Sequence, residues 1–171
     1  MSIGWRSPRR VRSLPNAYGG WAVVAGASEG LGSAFAAQLA VRGMDLVLVA
    51  RRPQLLAELK EQLIAEYGVE VRCVVLDLAD PAFAEALADA VAGLDLGIVV
   101  YNAAFTPVGP FLEAPDEEIS QAVDVNVRGP LLALRALVPG LVNRITAVLM
   151  GRLLPRKAAI RLIGRNTRHL T

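Results

Sequence analysis

The chain is 171 residues long, 54% hydrophobic, with a formal net charge of +2. That length suits one domain with a sizeable core, and no apolar run is long enough to cross a bilayer, so a membrane-spanning class is set aside. A single cysteine, Cys73, excludes an intramolecular disulfide and suits a reducing cytoplasm, and one His with one Cys leaves no zinc site. Charge is unevenly spread. Residues 1–12 hold four Arg and no acid, residues 13–150 hold eight basic and sixteen acidic residues, and residues 151–171 hold five Arg, one Lys and no acid. Basic ends admit nucleic acid as a partner. Against that, no aromatic residue interleaves the basic residues of 151–171 and no nucleic-acid-reading motif occurs.

Residues 1–16 lack a clear period and read as a flexible basic arm. Arg9-Arg10 resembles an export signal only superficially, because Asn16, Gly19 and Gly20 interrupt the stretch beyond it. Trp21 to Ala25 is then a buried strand, followed by a glycine turn at Gly26, Gly30 and Gly32. A helix comes directly after, with Leu31, Phe35 and Leu39 on one face and Gly43 as its stop. A strand, a glycine turn and a helix in succession form a dinucleotide-binding opening. Without Cβ atoms a pyrophosphate can approach the backbone closely, and the helix N-terminus favours the anion.

Asp45 to Ala50 (DLVLVA) is a second buried strand, with Arg51 and Arg52 immediately after it. Folds that prefer NAD place an acid at this strand end for the ribose hydroxyls, whereas a 2′-phosphate needs positive charge. Ala50 stands at the acid's place and Arg51 comes next, so NADP(H) is expected over NAD(H); a solvated Arg pair is the plain alternative. Gln54 to Tyr67 is an amphipathic helix stopped by Gly68. Glu70 to Leu76 is a third strand, in which Cys73 reads as a small buried hydrophobe. Asp80 before Pro81 reads as the N-cap of a helix whose core face is Phe83, Leu87 and Val91. Gly97 to Tyr101 is a fourth strand, running into Asn102-Ala103-Ala104 and then a loop, Phe105 to Phe111. From Ala114 to Leu141 the pattern is helical, with Ile119, Val123, Leu131, Leu134 and Val138 as core candidates, and Ile145 to Met150 reads as a fifth strand. The alternation predicts an α/β fold, a doubly wound parallel sheet of five strands.

Gly26-x-x-x-Gly30-x-Gly32 resembles the T-G-x-x-x-G-x-G signature of the short-chain dehydrogenase/reductase family, with Ala25 in place of Thr. Asn102-Ala103-Ala104 resembles that family's N-N-A-G motif, departing at Tyr101 and Ala104. The resemblance covers residues 17–150, and Tyr18-Gly19-Gly20-Trp21 looks like the branch that includes ketoacyl and hydroxysteroid reductases. It implies a Rossmann-type nicotinamide dinucleotide domain that transfers hydride between the cofactor and a small carbonyl or alcohol substrate. It further implies cofactor contacts from Gly26, Ser28, Glu29, Gly30, Leu31 and Gly32 in the turn, and from Arg51 and Arg52 after the second strand. Asp77 and Leu78 would meet the adenine, and Asn102, Ala103 and Ala104 would line the cofactor's path. Asn126 matches the family's fourth catalytic residue, which distorts its helix and completes a proton relay.

The resemblance stops after Met150, so the sheet is incomplete on its C-terminal side. In the family a Ser comes after the fifth strand, then Tyr-x-x-x-Lys. Here Gly151-Arg152 stands where the Ser is expected, and none of Tyr18, Tyr67 and Tyr101 has a Lys four residues later. Residues 151–171 form a basic tail atypical of the family. Three readings compete. One is a truncated or frame-shifted reductase without appreciable turnover, and a second is a noncatalytic NADP(H)-binding regulator or partner subunit. The third is a binder of nucleic acid or acidic surfaces. A homo-oligomer is compatible with each.

Overall fold

The structure, a computed structural model, describes residues 14–137. The expected fifth strand at Ile145–Met150, the tail 151–171, the core candidate Val138 and most of the basic arm lie outside the described residues. The sequence places the end of the arm at residue 16, but a single helical turn, α1 (Pro15–Tyr18), already begins there, with Leu14 packed against the core.

Among the described residues four strands form one sheet, β1 (Trp21–Ala25), β2 (Asp45–Ala50), β3 (Val71–Val75) and β4 (Leu96–Tyr101). Their order is β3-β2-β1-β4, and every pairing is parallel. The near-continuous apolar runs of β1 and β2 are explained by this order. Both are central strands buried on both faces, where no polar alternation is needed. Ala22 and Val24 pack on one face with α2 (Gly30–Ala40) and α3 (Pro53–Tyr67). Trp21, Val23 and Ala25 pack on the other with α4 (Phe83–Ala90) and with residues 129–137, a helix designated α6. The sheet is therefore doubly wound, in agreement with the alternation of the sequence. Ala25, Val49 and Tyr101 lie in register at the C-terminal edge, where such sheets open a crevice.

The strands fall where the sequence pattern places them, within a residue or two at each end, but several packing faces differ. In α2 the buried residues are Gly32, Ala36, Leu39 and Ala40, while Leu31 is 71% and Phe35 47% exposed. At its first turns the helix lies so close to β1 that only Gly32 and Ala36 fit beneath it, and small residues carry little weight in a search for a large apolar stripe. Cys73 is exposed rather than buried, because β3 is an outer strand of the described sheet. Its thiol donates to the Leu56 carbonyl at 3.4 Å, and partial burial pushes its pKa up, with the charge of Lys60 opposing. Asp80 accepts Ala82 N–H at 2.8 Å, but it caps a turn, and the regular helix starts only at Phe83.

The last helical stretch departs most from the periodicity, while its distortion falls at Asn126, where the resemblance implies one. It consists of α5 (Asp116–Val123), a π-helical turn (Asp124–Arg128) and then α6. Val123, Leu131 and Leu134 are exposed, and Val125, Ala133 and Leu137 are buried instead. A π turn breaks the 3.6-residue phase, so a stripe read through it as one continuous helix emerges on the wrong face. Among the described residues, no helix is long and apolar enough to cross a membrane.

The same substitution at two leucines tests this packing. Leu56 is fully buried between α3 and the sheet. Leu56→Ala should cost about 3 kcal/mol through lost burial and the cavity left behind, whereas Leu31→Ala should stay within about 0.5 kcal/mol. Urea melts of the two variants check this, and equal losses would contradict the arrangement of α2.

Candidate functional site

The site begins with a backbone that has no room for side chains. Gly26 has φ +79°, and a Cβ there would sit 2.5 Å from the Ala103 nitrogen. A Cβ on Gly32 would run into the Gly26 carbonyl oxygen. The turn hangs from both neighbouring strand ends. Gly26 and Ala27 N–H donate to the Val49 carbonyl at 2.8 and 3.2 Å, while Asn102 and Ala103 N–H donate to the Ala25 carbonyl at 2.9 and 3.1 Å. The Asn102 side-chain amide donates to the Gly26 carbonyl at 3.4 Å. Gly30 has φ +61° with open space around it, so its need for glycine is conformational, not steric. Helix α2 starts there, and its N-cap residue, Glu29, makes no capping bond with its side chain. The first N–H groups of the helix are thereby left for an anion.

A cleft of about 460 Å³ lies along the C-terminal strand ends, lined on one side by Gly26, Ser28, Glu29, Arg51 and Arg52 and on the other by Asn102, Ala103 and Ala104. Its size is that of a small-molecule site. Pro53 holds Arg52 in an extended conformation (φ −99°, ψ 103°), as the residue before a proline requires. Arg52 then reaches back to the glycine turn, with its Nη2 2.5 Å from Glu29 Oε1 and 3.1 Å from Ser28 Oγ. Arg51 is exposed and makes no ion pair among the described residues. Asp77 accepts Ala79 N–H at 3.0 Å, which shapes the turn after β3, and Leu78 beside it is buried.

Asn126 sits in the π turn, outside the cleft lining. Its amide nitrogen donates to the Phe105 carbonyl at 2.6 Å, and its Oδ1 accepts Phe105 N–H at 2.9 Å. It thereby fixes the start of the loop beyond Asn102-Ala103-Ala104. The π turn itself has a cause in named groups. Gly129 N–H donates to the Asp124 carbonyl, five residues back. The Val125 carbonyl, which a regular helix would offer to Gly129, instead accepts the Tyr101 hydroxyl at 2.8 Å. A Cβ on Gly129 would collide with that hydroxyl. Pro130 has no N–H to offer the Asn126 carbonyl four residues back.

The cleft thus gathers Gly26, Ser28, Glu29, Arg51, Arg52, Asp77, Leu78, Asn102, Ala103 and Ala104 from four separate strand ends. Gly30 and Leu31 border solvent at the start of α2, and Gly32 lies beneath the turn. Leu76, Phe105 and Val125 also line the cleft, although no sequence motif marks them. Phe105 comes directly after the Asn102 motif and is within reach of an extension of it. Val125 and the role of Tyr101 depend on the π turn; the resemblance implies a distorted helix at Asn126 but not these partners.

Burial pushes the Tyr101 hydroxyl up to about 12. The folded chain therefore holds this proton more tightly than the unfolded chain does. The stability this supplies is complete below the ordinary tyrosine pKa of about 10 and is lost as pH rises through about 12. Tyr101→Phe should flatten the alkaline fall in stability and cost about 1 kcal/mol at neutral pH through the lost bond to Val125. Urea melts from pH 7 to pH 11 check both effects, and an unchanged alkaline slope would count against the buried phenol.

Residues 20–149 match the family described as short chain dehydrogenase. The very-long-chain 3-oxoacyl-CoA reductase of Aspergillus clavatus is 40% identical over 131 residues, covering 74% of this chain and 38% of that protein. A solved 7beta-hydroxysteroid dehydrogenase superposes with a TM-score of 0.71 at 34% identity, covering 80% of this chain and 51% of the other. A short-chain dehydrogenase from Sphingobium yanoikuyae, in complex with NADPH, does so with a TM-score of 0.68 at 32% identity, covering 72% of this chain and 48% of the other. The chain spans about two fifths of the length of the curated relatives it matches, 38% and 42% of two of them. With the doubly wound sheet and the glycine turn in place, these likenesses show that the chain belongs to the short-chain dehydrogenase/reductase family.

Proposed function

We propose that this chain is the NADP(H)-binding portion of a carbonyl/alcohol oxidoreductase that works by hydride transfer. One observation carries the cofactor preference. Arg51, without an ion-pair partner among the described residues, lines the cleft directly after Ala50, where NAD-preferring folds carry an acid. The NADPH complex of the Sphingobium relative supports the same reading. When bound, the nicotinamide supplies or accepts the hydride. The chain's own residues hold the rest of the cofactor. The N-terminus of α2 and the glycine turn take the pyrophosphate, Arg51 takes the 2′-phosphate, and Asp77 and Leu78 take the adenine end. Asn102, Ala103 and Ala104 leave a path along the sheet edge, and Asn126 holds the loop beyond them through Phe105. The lone exposed thiol of Cys73 suits a reducing cytoplasm.

Titration of the chain with NADPH and with NADH tests the preference. A charge-assisted Arg–phosphate contact should make NADPH bind about tenfold or more tightly. Equal affinities would refute the preference, and no saturable binding would refute the site. No Tyr-x-x-x-Lys occurs anywhere in the sequence, so no hydroxyl of known placement can pass a proton to the substrate oxygen. Turnover by this chain alone should therefore be undetectable. NADPH oxidation with a carbonyl substrate, abolished by Gly30→Trp, would overturn that.

A further inference from the structure

Arg51 and Arg52 are neighbours in sequence but differ in circumstance. Arg51 has no ion pair among the described residues, while Arg52 is engaged by Glu29 at 2.5 Å and by Ser28 at 3.1 Å, through the same Nη2. All four residues line one cleft. Glu29 also holds the N-cap place of α2, where a carboxylate would ordinarily accept N–H groups of its own helix. It makes no such bond and turns to Arg52 instead.

We infer that Glu29 is a specificity-determining residue of this cleft. By neutralising Arg52, it sets how strongly the site favours an adenosine that carries a 2′-phosphate over one that does not. This rests on the proposed dinucleotide site. The side chains of Arg52 and Glu29 are 51% and 68% exposed, so the pair contributes little as a brace. Its effect is on charge. With Glu29 present, the two arginines that line the cleft leave a net charge near +1 rather than +2. A phosphate dianion bound there lies within a Debye length of all three groups and feels that difference. The carboxylate makes no hydrogen bond to the N–H groups of α2, so its main partner at the cleft is Arg52.

Adenosine 2′,5′-bisphosphate and adenosine 5′-monophosphate, titrated into the full chain by calorimetry at low salt, test this. Four proteins are compared: the unaltered chain, Glu29→Gln, Arg52→Gln and the double variant, with thermal melts to verify folding. Glu29→Gln should raise the preference for the bisphosphate about three- to tenfold. Arg52→Gln should lower it by a similar factor, and the double variant should return to within about twofold of the unaltered chain. The monophosphate should shift in the same directions by a smaller factor, because it lacks the second phosphate. Opposite and cancelling shifts are the signature of charge neutralisation. If Glu29→Gln leaves the preference unchanged or lowers it, the inference fails. It fails equally if both single variants weaken both ligands together, because the pair would then be a brace for the glycine turn. If the unaltered chain shows no preference but the variants still shift it in opposite directions, the inference stands and the proposed NADP preference fails. If folded chain binds neither ligand, the dinucleotide reading falls and takes this one with it.

Discussion

The architecture depends on an approach of backbone to backbone that leaves no space for a single methyl group. At Gly26 the chain leaves β1 with a positive φ and passes against Ala103 at the end of β4. At Gly32 the first turn of α2 presses on the Gly26 carbonyl. These contacts draw the start of the helix onto the sheet, which is why Gly32 and Ala36 are buried there while Leu31 and Phe35 are exposed. They also bring the N-terminus of α2 to the edge of the cleft. One packing constraint thus sets the composition of the helix face and the place of the helix N-terminus beside the cleft.

A similar economy operates in the π turn. The irregularity is made by groups that are missing or diverted: a Cβ at Gly129, an N–H at Pro130 and a Val125 carbonyl claimed by Tyr101. Tyr101 stands at the end of β4 and Asn126 in the middle of the helix, yet both act on the same few residues beyond the strand. Tyr101 holds the turn, and the turn presents Asn126 to both backbone groups of Phe105. The loop that leaves the sheet is therefore fixed from the helix by paired hydrogen bonds rather than by packing, in keeping with the exposure of Val108, Phe111 and Leu112 farther along it.

Charge at the cleft is organised with less redundancy than the sequence implies. Two adjacent arginines read as a double positive site. In the fold, Pro53 sets the backbone of Arg52 so that its side chain meets Ser28 and Glu29, and only Arg51 of the two stands unpaired among the described residues. Glu29 does not act as the helix cap its position would allow. Neither fact can be obtained by counting charges, because both depend on the distance between the end of β2 and the glycine turn.

The four strands of the described residues, the doubly wound alternation, the glycine turn and most of the cleft lining are legible in the sequence. Those features are local. They rest on continuous apolar runs, on glycines where no side chain fits and on short motifs such as Asn102-Ala103-Ala104, which keep their meaning wherever the segment is placed. Tertiary structure decided which face each helix buries, the exposure of Cys73, the partner of Arg52 and the link from Tyr101 to Asn126. Each of these depends on groups far apart in the chain being brought within hydrogen-bonding or packing distance. A helical stripe read across Val123 to Leu134 loses its phase at a π turn whose cause, the Tyr101 hydroxyl, lies 24 residues from the carbonyl it engages. Periodicity carries no information about a bond of that kind, and the folded sheet alone supplies it.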